Sequence, residues 1–586
     1  MDAATRAQLV ASAPGRSTWL VANAGSGKTR VLTQRVARLL LAGVEPQSIL
    51  CLTYTKAAAS EMQNRLFKTL GAWTMLSDGK LAEALAQLGE PGPFPVETLT
   101  ASRTLFARAI ETPGGLRIQT IHSFCAAILR RFPLEAGVSP DFKEMDERLA
   151  TLLQREVLEE LALAGDPGLE AMAAQQTSDD LGRWLADLLR QRASLSPPKT
   201  RDEIWRNFGL PPGYDLDALA RDHLRTNDTD TLQAVSTALA GGSANDHRLS
   251  IKLGRISLDP ATMPALAQLE DALVYGEDSK TNPLGPKSIP TKGGKDALGP
   301  ALLAAFDDLK ERAAGMLPLR RGLLAAEKTA ALHAFAASFL PAYEAKKEAG
   351  GWLDFDDLIE KTRALLTQSD TAPWVLYKLD GGIDHILVDE AQDTSPAQWA
   401  VIRTLSNEFL AGEGVNVERP RTVFVVGDKK QSIYSFQGAD PRAFDGMRDH
   451  FAAMLEHASE PLQRAKLEFS FRSAPAILGL VDRVFEGAEG LGEAAQHRAF
   501  HKALPGRIDL LDPWEKETAE RREWYDALDR ISEEDHRRKL AQDIAARVER
   551  MLAGEVIPIE GGAGSRRIKP SDILILVQSR SIVFEE

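Results

Sequence analysis

Ala22-Asn23-Ala24-Gly25-Ser26-Gly27-Lys28-Thr29 is a run of small residues that ends in a cation and a hydroxyl. Small side chains let successive backbone N–H groups turn toward one point, where they can converge on phosphate oxygens. Lys28 would pair with the outer phosphate charge, and the Thr29 hydroxyl suits a Mg²⁺ ion on the same group. Far along the chain, Asp389-Glu390-Ala391-Gln392-Asp393 follows the apolar run Ile386-Leu387-Val388. Carboxylates at the C-terminal edge of a strand sit where open α/β sheets bind ligands. Asp389 can enter a Mg²⁺ shell, and Glu390 can orient or deprotonate an attacking water. Each stretch alone has a plainer reading, a glycine-rich turn and a solvated acidic turn. Together in one chain they point to hydrolysis of a nucleoside triphosphate.

The elements around these residues read as α/β. Ser17–Ala22 is a short strand candidate, the small-residue turn follows, and from Thr29 to about Leu41 the residues Val31, Leu32, Val36, Leu39 and Leu40 fall on one helical face. Ser48–Thr53 is a second strand. A strand–helix–strand unit implies a parallel sheet. The helix also points its N-terminal dipole at the phosphate position. From about 145 to 345 the chain is rich in Ala and Leu at helical spacing, with no fixed repeat, and Gly276–Gly299 reads as an exposed or mobile loop within it. Strands return at Ile383–Val388 and Thr422–Val426, and Asp572–Val577 reads as a last strand with no closing element after it.

Composition excludes some classes. Hydrophobic residues make up 44% and charged residues 26% of the chain, which is ordinary for a globular protein. No apolar run is long enough to span a bilayer, and the N-terminus has no apolar signal core, so no membrane partner is expected and the compartment is read as the cytoplasm. Cys51 and Cys125 lie in apolar stretches and read as buried free thiols. A net charge of −13 argues against coating nucleic acid by bulk electrostatics, but leaves room for a groove of base-stacking side chains.

With Ala22 where a glycine is usual, the first stretch resembles the Walker A pattern, and the acidic block resembles motif II of superfamily 1 DNA helicases of the UvrD/Rep class. Other blocks are similar to that family in the same order: Gln8 upstream of the loop, Thr53–Met62, Gln119–Cys125, Asp354–Leu358, Gly427–Ala439 and Phe469–Ser473. The resemblance implies that Gln8 reads adenine and that Arg30 and Phe471 sandwich it. It implies that Gln431 senses the γ-phosphate and that Arg472 is the arginine finger, with ATP and Mg²⁺ as the bound groups. Thr53, Tyr54, Thr55, Lys56, His122, Ser123, Phe124, Tyr434 and Phe436 would face single-stranded DNA. Structural packing is the competing reading for the aromatics in this set, and about one of them is expected to be core. Two positions depart from the family pattern. Gln437 stands where an arginine is usual, and Ala57 stands where a lysine is usual.

The long stretch between Lys28 and Asp389 requires a large insertion. With the motif wording it resembles the AddA branch, helicase–nuclease subunits of bacterial double-strand break repair that pair with AddB. The implied fold is a RecA-like P-loop sheet formed by residues 1–145 and 350–480, a helical insertion at 146–349, and the start of a second RecA-like domain at 481–586. Two later helicase motifs and the nuclease carboxylates find no match, so the sequence reads as a front part of such a protein. The resemblance implies 3′→5′ translocation. The alternatives are a nucleotide- and DNA-binding module without unwinding, and a nuclease using Asp354, Asp356 and Asp357 as metal ligands.

Overall fold

The computed structural model describes residues 2–175, 181–368, 370–380, 382–410, 420–434, 438–457, 461–488, 497–515, 535–559 and 564–577. The chain divides into two compact units, Met1–Gly137 with Leu358–Glu586, and Val138–Asp357.

The first unit is α/β. Six strands, β1 (Thr18–Ala22), β2 (Ile49–Thr53), β3 (Arg117–Thr120), β4 (His385–Val388), β5 (Thr422–Gly427) and β6 (Gln463–Leu467), form one sheet in the order β3-β2-β4-β5-β1-β6. Every pairing is parallel; Leu20 lies opposite Val426 on one side and Ala465 on the other. The four inner strands are runs of branched and aromatic residues because helices cover both faces. On one face Val31, Leu32, Val36, Leu39 and Leu40 of helix Lys28–Leu41 pack with Met62, Leu66 and Leu70 of helix Lys56–Met75 and with Leu387 and Phe424 of the sheet. On the other face Trp19 meets Trp399, Phe444 and Phe451 at ring separations of 6.3, 4.8 and 6.4 Å.

Arg35 is wholly buried among the strand starts. Its guanidinium donates to the carbonyls of Ala13 and Arg16 and to Thr422 Oγ1, and burial pulls its pKa down to about 9. Because all six strands run the same way, residues 23, 54, 121, 389, 428 and 468 leave the sheet at one edge. Segments far apart in sequence therefore emerge side by side there.

The second unit is helical. Its spine is Lys292–Gly350, two helices joined at Gly299 (φ 68°, ψ 168°). One apolar cluster packs Trp205, Leu232, Leu266, Phe306 and Met316, and another packs Leu153, Val157, Leu188, Phe335 and Phe339. Phe335, Phe339 and Tyr343, spaced four residues apart, stack at 5.2 and 5.9 Å.

Two expectations are corrected. The loop after Gly276 ends at Thr291, whose hydroxyl caps a helix beginning at Lys292; the lysines and glycines there hid a short helix that buries Leu298. Asp572–Val577 is not a strand: among the described residues no strand pairs with it, and Leu574 and Leu576 are exposed. Both cysteines are buried free thiols. Among the described residues no helix is long and apolar enough to cross a membrane.

Candidate functional site

The turn after β1 is built to leave donors facing outward. Gly25 (φ 72°) and Gly27 (φ 88°) hold left-handed backbone that a side chain would strain. A Cβ on Gly25 would lie 2.7 Å from Ser470 Oγ and 2.8 Å from Arg472 Cβ, and one on Gly27 would lie 2.8 Å from Gln8 Nε2. No side chain caps helix Lys28–Leu41 at Gly27, so its first N–H groups are free to meet an anion. Gln8 Nε2 donates to the Ser26 carbonyl at 2.9 Å. Gln8 Oε1, Asn23 Nδ2 and Ser26 Oγ are buried with no partner, the condition of polar groups that await a ligand.

A cleft of about 330 Å³ opens in front of this turn. Lys28, Thr29 and Arg30 are among its lining residues, with Glu390, Gln431, Phe471 and Arg472. Lys28 Nζ donates to Glu390 Oε2 at 2.6 Å and to Gln431 Oε1 at 3.4 Å. A smaller hollow of about 110 Å³ is bounded by Gln8, Ser26, Leu467 and Phe471. Phe471 presents its N–H to the Gly25 carbonyl at 2.8 Å and packs its ring on Phe500 at 4.4 Å.

Asp389 does not line the cleft; it is buried directly behind Glu390, whose N–H it accepts at 3.0 Å. Burial, then the neighbouring Glu390 charge, push its pKa up to about 7. Asp393 is raised to about 6 by the same two causes. Glu390 sits at φ 48°, left-handed backbone rare outside glycine and found where a site constrains it. Thr29 lines the cleft and the Asp389 carboxyl lies behind Glu390; both are oxygen donors of the kind Mg²⁺ takes.

The residues expected at DNA share the same sheet edge but differ in exposure. Tyr54 and Tyr434 pack ring to ring at 4.5 Å, half-buried. Thr55 caps the helix that begins at the exposed Lys56, while Thr53 is buried and donates to the Thr55 carbonyl. His122 and Ser123 are half-buried at the start of helix Ile121–Arg131, where Thr120 caps the Ser123 N–H. Phe124 points the other way: it is 4% exposed and belongs to the interior, because its helix turns that face onto the sheet. Phe436 and Gln437 lie outside the described residues. Ala22, Asn23 and Ala24 support the turn rather than line the cleft.

Three participants were not singled out from sequence. Arg65 lines the cleft from helix Lys56–Met75, where its spacing from Glu61 reads as an ordinary surface pair. Lys430 Nζ reaches Asn23 Oδ1 at 3.0 Å and ties the loop after β5 to the phosphate turn. Gln392, 1% exposed, bonds three carboxylate-bearing residues at once. The acidic block at 354–357 is used differently. Asp354 and Asp357 are paired with Arg192 and Lys347 at 2.6–3.0 Å, and no group of three His, Cys, Asp or Glu side chains able to hold a metal occurs among the described residues. The metal-ligand reading of that block is therefore set aside.

The family model for the UvrD/REP helicase N-terminal domain matches residues 3–452. An ATP-dependent helicase/nuclease subunit of Levilactobacillus brevis is 28% identical over 483 positions, 75% of this chain and 35% of that protein. The protein of the same name from Geobacillus kaustophilus is 26% identical across 97% of this chain and 46% of its own length. That from Latilactobacillus sakei is 25% identical, with 82% and 54% covered. The chain thus spans between a third and just over half of the length of these relatives.

Proposed function

The chain belongs to the UvrD/REP helicase family, and on that premise we propose that it is an ATP-driven DNA motor. The carrying observation is the convergence of Lys28, Glu390, Gln431 and Arg472, from four separate stretches of sequence, on one cleft. ATP would place its phosphates against the turn at Asn23–Thr29 and its base in the hollow at Gln8, between Arg30 and Phe471. Binding would draw Lys28 from Glu390 to the outer phosphates and free the carboxylate to orient water. Thr29 and Asp389 would hold Mg²⁺, which neutralises phosphate charge when bound. Arg472 would lie on the γ-phosphate, and Gln431 would report its presence.

Tyr54, Tyr434, Lys56, His122 and Ser123 would track single-stranded DNA, since stacking and backbone contacts are indifferent to sequence. We read residues 1–145 and 350–480 as the ATP-binding domain, 146–349 as an inserted helical domain and 481–586 as the start of a second RecA-like domain. From the family resemblance we further propose 3′→5′ movement in double-strand break repair in the cytoplasm, beside an AddB-like partner protein.

The test is ATP turnover with and without single-stranded DNA. Turnover should be DNA-stimulated and should fall at least a hundredfold in Lys28→Ala. Equal turnover in that variant would reject the site. DNA and ATP binding without strand separation would reduce the chain to a binding module.

A further inference from the structure

We propose that Gln392 is a positioning residue that transmits the state of the nucleotide cleft to the loop carrying Gln431 and Tyr434. This rests on the reading of the cleft as an ATP site coupled to DNA.

The side chain is a hub. Its Nε2 donates to Glu390 Oε2 at 2.8 Å and to Asp393 Oδ2 at 3.0 Å. Its Oε1 accepts the Asp428 N–H at 2.8 Å. Both N–H groups and the carbonyl oxygen are thus in use, and a flipped amide would set oxygen against two carboxylates and N–H against N–H. Each partner leads elsewhere. Glu390 faces Lys28 in the cleft. Asp428 Oδ2 accepts Gln431 Nε2 at 2.6 Å, and Gln431 Oε1 returns to Lys28, so the hydrogen bonds close into a ring. Asp393 is hydrogen-bonded by the backbone of Ile433, the residue before Tyr434, and Ser432 Oγ donates to the Gln392 carbonyl at 3.3 Å. The backbone makes room for this amide: a Cβ on Gly427 would fall 2.7 Å from Gln392 Oε1.

Lys28 is the point at which the ring can open. A phosphate that takes Lys28 removes a donor from Glu390 and from Gln431 together. Glu390 is then left with Gln392, and any shift of that carboxylate moves an amide whose other contacts position Asp428 and Asp393. A buried amide with every group satisfied has few alternative positions, so it passes the displacement on rather than absorbing it. Gln431 and the Tyr54–Tyr434 pair receive it.

The test is the coupling between two affinities. Binding of an oligo-dT strand is measured by anisotropy with and without Mg²⁺ and a non-hydrolysable ATP analogue, in the full chain. In the wild type the analogue should change DNA affinity at least fivefold. Gln392→Glu keeps an oxygen for Asp428 but presents lone pairs to Glu390 and Asp393; Gln392→Leu removes all three bonds. In both, the ratio should fall to within twofold of unity. Because the analogue can itself stabilise a weakened variant, each titration is scaled to the active fraction found by stoichiometric DNA binding under the same conditions, and the variants should still bind the analogue; poor folding then leaves the ratio unchanged. A wild-type ratio retained by both variants overturns the role of Gln392. A ratio of one in the wild type itself would instead overturn the ATP–DNA reading.

Discussion

Asp389 shows how far burial beside a like charge can shape a residue. Its carboxyl is enclosed at the end of β4, accepts one backbone N–H and faces the negative charge of Glu390, so its pKa rises from 3.8 to about 7. A raised acid pKa means that the folded chain holds the proton more tightly than the unfolded chain. The stabilising contribution is complete below about pH 4 and is lost as pH climbs through about 7. Asp393, raised to about 6, acts in the same direction. Without Mg²⁺ and nucleotide, the melting temperature should therefore carry a downward component between pH 4 and 8. Asp389→Asn keeps an oxygen for the Glu390 N–H and cannot ionise. It should flatten that component and melt higher than the wild type at pH 8, while losing Mg²⁺-dependent turnover. Parallel melting profiles for the two proteins would show that Asp389 is not held near neutrality.

At the scale of elements, the inner strands and the glycine turn after β1 were legible because their physics is local. β1, β2, β4 and β5 are unbroken apolar runs, and glycines beside a Lys-Thr pair announce a turn that needs positive φ. The two edge strands were not legible. β6 reads Gln-Arg-Ala-Lys-Leu with alternate residues half-buried or exposed, and β3 reads Arg-Ile-Gln-Thr, the charged and polar chemistry of a sheet margin. Pairwise contacts of the site were equally hidden. Nothing in the order of residues says that Gln392 meets Asp428 or that Tyr54 meets Tyr434, since parallel crossovers bring them together. One such crossover yields a prediction. β6 delivers Ser470 and Arg472 against Gly25, so Gly25→Ala would add φ strain of about 1–3 kcal/mol and push away the segment that carries Arg472. Analogue affinity should drop at least tenfold, with a lower melting temperature. Unchanged affinity would mean that the 470–472 segment is free to retreat.

At the scale of the whole chain, the helical unit was legible as helical but not in its electrostatics. Leu and Ala at helical spacing give away the helices; the ion pairs between them join residues far apart in sequence, 50 positions for Arg320–Glu270 and 84 for Arg312–Asp228. Asp228 is the clearest instance. Only 4% of its side chain is exposed, it holds Arg312 through two bonds of 2.7 Å, and it accepts the Arg225 N–H at 2.7 Å. Asp228→Ala takes two bonds from Arg312 but leaves it Asp308 and the His223 carbonyl, so the cost falls below the roughly 3–5 kcal/mol of a fully stranded buried charge. The three clusters seen among the described residues each lie within one unit, so that loss should stay where it arises. Asp228→Ala is expected to lower one calorimetric transition, that of Val138–Asp357, and to leave analogue affinity at the cleft unchanged. Saturating nucleotide should raise the other transition alone, because a ligand stabilises only the unit that binds it. If both perturbations shift a single common transition, the two cores unfold together, and Val138–Asp357 shares its stability with the unit that carries the cleft.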